Sequence, residues 1–367
     1  MVKNTKISGY QLSMLIGTFI FGTSHVINIS KHVYQDVWIS YLLGWAGGFL
    51  LISIYVAISV LHPSKNLINI LKDTFGKYLG SVIGLFYMGY FIHLAALVLR
   101  DLGEYLTNID FHETPLIFIV CCLSIPAIYA VKKGLIVIAR TNQLLTLALC
   151  ITLVVLIIIP LKYLDFNNVL PVFESNFSDI TNIGFLYLTY TFGETVIFLM
   201  IFDKVNKSKY LFKSSYIALA IVGLLLFTLL LQNLMVLGPD KFSRNIYAIN
   251  TTISRVTNLS IGPLILITLI IGGTFKYIIC IYASVKGIAQ LLNVDDHKPF
   301  VLPLITIVVP LSIWLHENLL DKLNWTTEIY PYYVIPFQIV IPLVLLILSY
   351  KKYGKKIKVH HKEKSLA

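Results

Sequence analysis

The chain has 367 residues, of which 57% are hydrophobic and only 13% charged, and its mean hydropathy of +0.80 excludes an ordinary soluble globular domain. The formal net charge of +11 does not point to nucleic acid, because seven lysines between Lys351 and Lys364 follow the last apolar segment. There they serve as a topology anchor or meet anionic membrane lipids.

A spanning helix needs roughly 20 mostly apolar residues, and ten such segments are predicted. The polar start Met1 to Ser8 is too short for a cleaved signal, so segment one, Tyr10 to Ile29, is expected to stay in the protein. It contains Thr18-Phe19-Ile20-Phe21-Gly22-Thr23-Ser24, where a glycine beside small hydroxyl residues weakens the helix. Val37 to Leu61, Ser81 to Leu102, Pro115 to Val131 and Thr141 to Leu161 form segments two to five. Segment three carries His93 near its centre and Arg100, Asp101 and Glu104 at its outer end. Arg100 and Glu104 share a helical face at i, i+4, so the cluster is either a solvated helix end or an outer gate whose ion pairs re-form.

Segment six, Ile183 to Phe202, repeats the pattern of segment one as Thr189-Tyr190-Thr191-Phe192-Gly193-Glu194-Thr195. Segment seven is Ser215 to Leu237, and Asp240 to Asn258 then reads as one interfacial amphipathic helix, either a cap on the outer vestibule or a passive surface helix. Segment eight, Pro263 to Gln290, carries Lys276 after Gly272-Gly273-Thr274-Phe275, and Phe300 to Leu315 and Tyr332 to Tyr350 complete the set.

With ten segments and an inside N-terminus, 21 of the 29 lysines and arginines fall on the inner side, 7 on the outer side, and Lys276 lies mid-span. Both termini are therefore expected in the cytoplasm. Five segments per repeat force the second copy to enter from the opposite face, and the two glycine-centred elements then occupy equivalent positions in segments one and six. Broken helices at membrane depth are tolerated where their backbone lines a cavity, and paired breaks mark a binding site near the midplane. Gly17, Thr18, Gly22, Thr23, Thr191, Gly193 and Glu194 are accordingly the expected substrate-binding residues, with unwound backbone from Gly17 to Thr23 and from Thr191 to Glu194.

Charged groups inside a bilayer cost several kcal/mol and need a partner, a wet cavity or a function. Glu194 either takes a proton or cation, contacts the amino group of a zwitterionic ligand, or pairs with Lys276. His93 is either a proton- or ion-coupling group together with Glu194 and Lys276 or a neutral histidine bonded to a neighbouring helix. The four cysteines, Cys121, Cys122, Cys150 and Cys280, lie in apolar segments and suggest no disulfide or zinc framework. No H-E-x-x-H, G-x-S-x-G or P-loop motif is present, His360-His361 reads as a solvated pair rather than a metal site, and neither an enzyme nor a cofactor is expected.

Lys6-Ile7-Ser8-x-x-Gln11-Leu12, Gly17-Thr18 followed by Gly22, and Gln35-Asp36-Val37-Trp38-Ile39-Ser40 resemble the B-subunit family of spore germinant receptors, which is related to amino acid/polyamine/organocation permeases. The resemblance spans essentially the whole chain. It implies an all-α integral membrane protein of ten helices in a five-plus-five inverted repeat of the LeuT-like kind, with helices 1 and 6 broken. Repeat one would cover about 8–161, repeat two about 181–350, and 351–367 would be a basic cytoplasmic tail. It also implies a place in the inner membrane of the bacterial spore, A-type and C-type receptor subunits as partners, and a small nutrient ligand such as an amino acid, or a nucleoside or sugar. In related pumps segments one and eight frame a cation, so Lys276 would put a fixed positive charge there and disfavour sodium. The alternative is a proton-coupled amino acid permease working through Glu194.

Overall fold

The computed structural model describes residues 6–30, 33–206, 209–257 and 262–364, which are helical apart from turns and one isolated bridge. Helix α1 (Gly9–Phe21) starts on a capping box, in which the Ser8 hydroxyl accepts the Gln11 N–H and the Gln11 side chain accepts the Ser8 N–H. Its 13 residues reach only about 20 Å of the ~30 Å hydrocarbon core. The helix stops at Gly22, whose φ of 20° an L side chain rarely adopts, and turns carry the chain onward. Ile7 bridges to Val205, donating to Lys204 O at 2.8 Å, so the start of segment one is tied to the end of segment six.

Gln35 and Asp36 lead into α2 (Val37–Leu61). The fully buried Asp36 carboxylate accepts the N–H groups of Phe173 at 2.7 Å and Ser175 at 2.8 Å, while Gln35 reaches Pro171 O and the Glu174 carboxylate. A buried carboxylate needs such donors, and the result is to clamp the loop before segment six onto the start of segment two. The short α3 (Leu67–Phe75), N-capped by Asn66, buries Leu67, Ile68, Ile70 and Leu71 beside α4 (Lys77–Ile109). Helices α5 (Leu116–Lys133) and α6 (Leu135–Ile158) complete the first half.

Segment six is not a continuous α-helix. α7 (Phe177–Tyr187) gives way to a π-helical turn over Leu188–Phe192 and then to a 3-10 run over Gly193–Met200. After α8 (Lys209–Leu237) come α9 (Pro239–Arg244) and α10 (Ala248–Val256), where the sequence predicted a single amphipathic helix. The Asn28 amide explains the division, because it donates to Phe242 O and Asn245 O and takes the carbonyls on which a continuous helix would build. Phe242, Ile249 and Ile253 are buried, so this stretch caps the turns that follow α1 rather than riding on the surface. Asn258, the expected end of that stretch, lies outside the described residues, as do the last three residues of the basic tail.

Helix α11 (Gly262–Leu291) packs along α4. Helix α12 (Val301–Trp314) turns by 97° into α13 (Leu319–Glu328), and α14 (Tyr330–Tyr333) leads through a second π turn, Pro336–Val340, into α15 (Ile341–Lys364). Among the described residues eight helices are long and apolar enough to cross a membrane, the bent α12–α13 pair makes a ninth, and α1 is a shorter apolar helix. Each predicted segment thus contains a helical run, but the first does not span as a regular helix.

Candidate functional site

The two interruptions meet at one ion pair. Glu194 lies in the first turn of the 3-10 run and Lys276 projects from α11, with Lys276 Nζ 2.6 Å from Glu194 Oε2 and both side chains 1% exposed. The other carboxylate oxygen accepts the Tyr330 hydroxyl at 2.6 Å. The ammonium also lies 5.5 Å from the Phe19 ring centre and 5.7 Å from that of Tyr190, within range of cation–π attraction. The lysine stem crosses Gly22 so closely that a Cβ there would sit 2.6 Å from Lys276 Cδ, and a Cβ on Gly272 would sit 3.0 Å from Gly22 O. Glycine at both positions lets α11 touch the broken backbone of segment one. Lys276 therefore fills the space between the breaks, and removing either partner of such a buried pair costs about 3–5 kcal/mol.

The break in segment six is patched from segment ten. Gln338 Nε2 donates to Thr189 O at 3.0 Å and to the Tyr90 hydroxyl at 2.8 Å, while the Tyr55 hydroxyl donates to Gln338 O at 2.7 Å. A Cβ on Gly193 would collide with Gln338 Oε1. The π turn of segment six is thus capped by the π turn of segment ten, whose own carbonyls at Phe337 and Gln338 accept from Tyr87 of α4 and Tyr55 of α2.

On the segment-one side, His25 stacks on Phe21 with ring centres 4.0 Å apart, and its Nε2 lies 2.9 Å from Thr268 Oγ1. Thr23 is fully buried. Ser24, His25, Asn28, Thr191 and Asn233 line a cavity of about 40 Å³ beside the breaks, towards α8 and α10 and away from Lys276 and Glu194, where Ser24 Oγ and Asn233 Oδ1 have no hydrogen-bond partner. A water occupies about 30 Å³, so this space admits water and is too small for an amino acid.

The charged cluster of segment three is buried, which overturns the solvated helix-end alternative. Arg100, Asp101 and Glu104 are 5%, 4% and 5% exposed. Arg100 Nε lies 2.6 Å from Glu104 Oε1, Arg100 Nη1 donates to Ile313 O at 2.9 Å, and Lys322 of α13 pairs with both Asp101 and Glu104, the latter at 3.0 Å. Two cations and two anions close on each other beneath α13. The Tyr190 hydroxyl donates to Asp101 Oδ2 at 3.1 Å, so one tyrosine touches both this network and Lys276.

Three expectations need correction. Unwound backbone begins at Gly22, not Gly17: Gly17 and Thr18 lie within regular α1, where Thr18 Oγ1 is 3.2 Å from Thr146 Oγ1 of α6. They face a cleft between α1, α6 and α8 rather than the breaks. His93 Nδ1 has no hydrogen-bond partner; the ring instead meets Trp325 and Tyr333 edge-on at 5.3 and 5.4 Å. Its link to Glu194 is indirect, through Trp325 and Tyr330.

Sequence reasoning missed Lys322, Tyr330, Gln338 and His25. Gln338 and His25 lie inside predicted spans and carried the signal that flagged His93, a polar group at membrane depth. Among the described residues no cluster of three or more His, Cys, Asp or Glu side chains suits a metal ion.

Comparison with known proteins adds family and fold. A family model described as spore germination protein matches residues 6–320. The chain is similar to spore germination protein KB of Bacillus subtilis (strain 168), 32% identical over 97% of this chain and 98% of that protein. It is also similar to spore germination protein A2 of the same organism, 28% identical over 48% of each chain. Among solved structures, MhsT in complex with L-phenylalanine aligns with a TM-score of 0.61 at 13% identity, covering 92% of this chain and 97% of that one. A substrate-bound, outward-open Na+-coupled sialic acid symporter aligns with a TM-score of 0.68 at 12% identity, covering 94% and 79%. These likenesses establish a LeuT-like transporter fold.

Proposed function

The chain belongs to the spore germination protein family, and from that premise we propose that it is the nutrient-sensing membrane subunit of a spore germinant receptor. The observation that carries this reading is the Lys276–Glu194 pair wedged between two broken segments. A small zwitterion such as an amino acid has the charges needed to replace it: its ammonium takes Glu194 and its carboxylate takes Lys276. Backbone around Gly22 to Thr23 and Thr191 to Gly193 supplies further hydrogen bonds, and the pair, whose side chains are 1% exposed, must open to admit the ligand.

Binding that requires rearrangement is how a sensor works, since a ligand shifts an equilibrium only by its differential affinity for the two states. Moving a receptor from about 1% to about 99% active takes roughly 5.5 kcal/mol. Exchanging a buried charge pair involves energies of that order. The network of Arg100, Asp101, Glu104 and Lys322 acts as the outer gate, and Tyr190 carries the change at Lys276 to Asp101. The subunit works in the inner membrane of the spore with both termini cytoplasmic, a placement supported by the lysine and arginine distribution. Its partners are A-type and C-type receptor subunits.

The second reading is a proton-coupled amino acid permease. It is favoured by the transporter fold and by a carboxylate at the break of segment six. Lys276 against Gly22 places an ammonium between segments one and eight, which argues against sodium in either case. Uptake of a panel of radiolabelled amino acids into proteoliposomes separates the two. The sensor reading expects binding without accumulation, whereas accumulation driven by a pH gradient overturns it in favour of transport.

A further inference from the structure

Two large clefts beside α1 lie away from the breaks. A cleft of about 600 Å³ opens between α1, α6 and α8, lined by Met14, Gly17, Leu149, Leu153, Ile217 and Leu225 among others. A second cleft, of about 610 Å³, shares Tyr10, Met14, Thr146 and Cys150 with it and so continues it across the seam between α1 and α6. Each carries one exposed basic side chain, Lys213 of α8 in the first and Arg140 of α6 in the second. Both lie within two turns of the start of their helices, on the face where lysine and arginine concentrate. Their surroundings are apolar and exposed, with Leu144 71% and Leu147 63% accessible, as expected of a surface facing lipid.

We propose that these clefts form a binding site for one anionic phospholipid of the cytoplasmic leaflet, with an acyl chain lying along α1 at Gly17 and the phosphate held by Lys213 and Arg140. Charge decides the head group, because two cations stand at the rim and, among the described residues, no acidic side chain lines either cleft. Space at Gly17 is real, since a Cβ there would meet only Val222 Cγ2, at 3.9 Å. The lipid would press on α1, the helix that ends at Gly22 beneath Lys276. Its occupancy therefore bears on how far the first segment can move when the ion pair opens.

The test uses the purified full-length protein equilibrated with equal phosphatidylglycerol and phosphatidylcholine, with retained lipids counted by native mass spectrometry. The expected wild-type result is one retained phosphatidylglycerol. Gly17→Leu, whose side chain fills the cleft, should lower that occupancy about tenfold. Lys213→Gln, an exposed change that leaves packing intact, should reduce the preference for phosphatidylglycerol about fivefold, the factor that ~1 kcal/mol per basic side chain near the membrane surface supplies. Unaltered thermal melting of Lys213→Gln in phosphatidylcholine alone will show that the protein is folded. Equal retention of the two lipids by wild type, or unchanged phosphatidylglycerol occupancy in both variants, overturns the proposal.

Discussion

Lys276→Met removes the cation and keeps the length of the side chain, leaving Glu194 at 1% exposure with only the Tyr330 hydroxyl as donor. One partner of a buried ion pair is worth about 3–5 kcal/mol when removed alone. A chain of 367 residues unfolds with an entropy of about 0.8 kcal/mol per kelvin. The expected fall in melting temperature is therefore roughly 4 to 7 °C, measured by thermal unfolding in detergent. Lys276→Met combined with Glu194→Gln deletes both charges while keeping an acceptor for Tyr330, and it should recover most of that loss, because neutralising a whole buried pair is often close to neutral. A single Lys276→Met variant that melts with wild type, or a double variant that melts lower than the single, would refute the assignment of this pair as a mutually compensating unit.

Two further outcomes follow from the same geometry. Gly193→Val and Gly22→Val should each abolish the germination response of spores while leaving membrane insertion intact, because the first drives a side chain into Gln338 and the second places a Cβ 2.8 Å from Phe19 O at a backbone angle valine resists. A wild-type response in both variants removes the breaks from the site. At the proposed outer gate, Lys322→Met should loosen α13, read as faster chymotrypsin cleavage between Trp314 and Trp325, and Asp101→Asn should do so less, since an asparagine still accepts from Tyr190. Equal cleavage rates in wild type and Lys322→Met would show that the ion pairs do not hold that helix.

Much of the architecture is legible in the chain because membrane segments announce themselves by length and apolarity, and the matching Thr-aromatic-x-Phe-Gly elements mark the two breaks. The motifs behind the family resemblance also acquire physical content: Ser8 and Gln11 form the capping box, Ile7 bridges to Val205, and Gln35 with Asp36 clamps the loop before segment six. Lys322 was not legible. Its helix, Leu319–Glu328, is polar enough to read as an outer loop, and only the 97° turn after Trp314 folds it back over Asp101 and Glu104. The unwound region was placed too early because Gly17 resembles a helix breaker in sequence, whereas a single glycine inside an otherwise strong apolar helix costs about 1 kcal/mol and is tolerated. The partnership of Glu194 with Lys276, 82 residues apart in the chain, depends on how segments six and eight meet, which no local pattern encodes.

The most direct test of the ligand site is a spore germination screen in which this gene is deleted and then restored as wild type, Glu194→Gln or Lys276→Met, across amino acids, nucleosides and sugars. The response lost on deletion should return with the wild-type gene, should be to a zwitterionic nutrient, and should be lost in both variants at normal protein levels in the spore membrane. Full responses from Glu194→Gln and Lys276→Met at wild-type nutrient concentrations would contradict a binding site built on that ion pair.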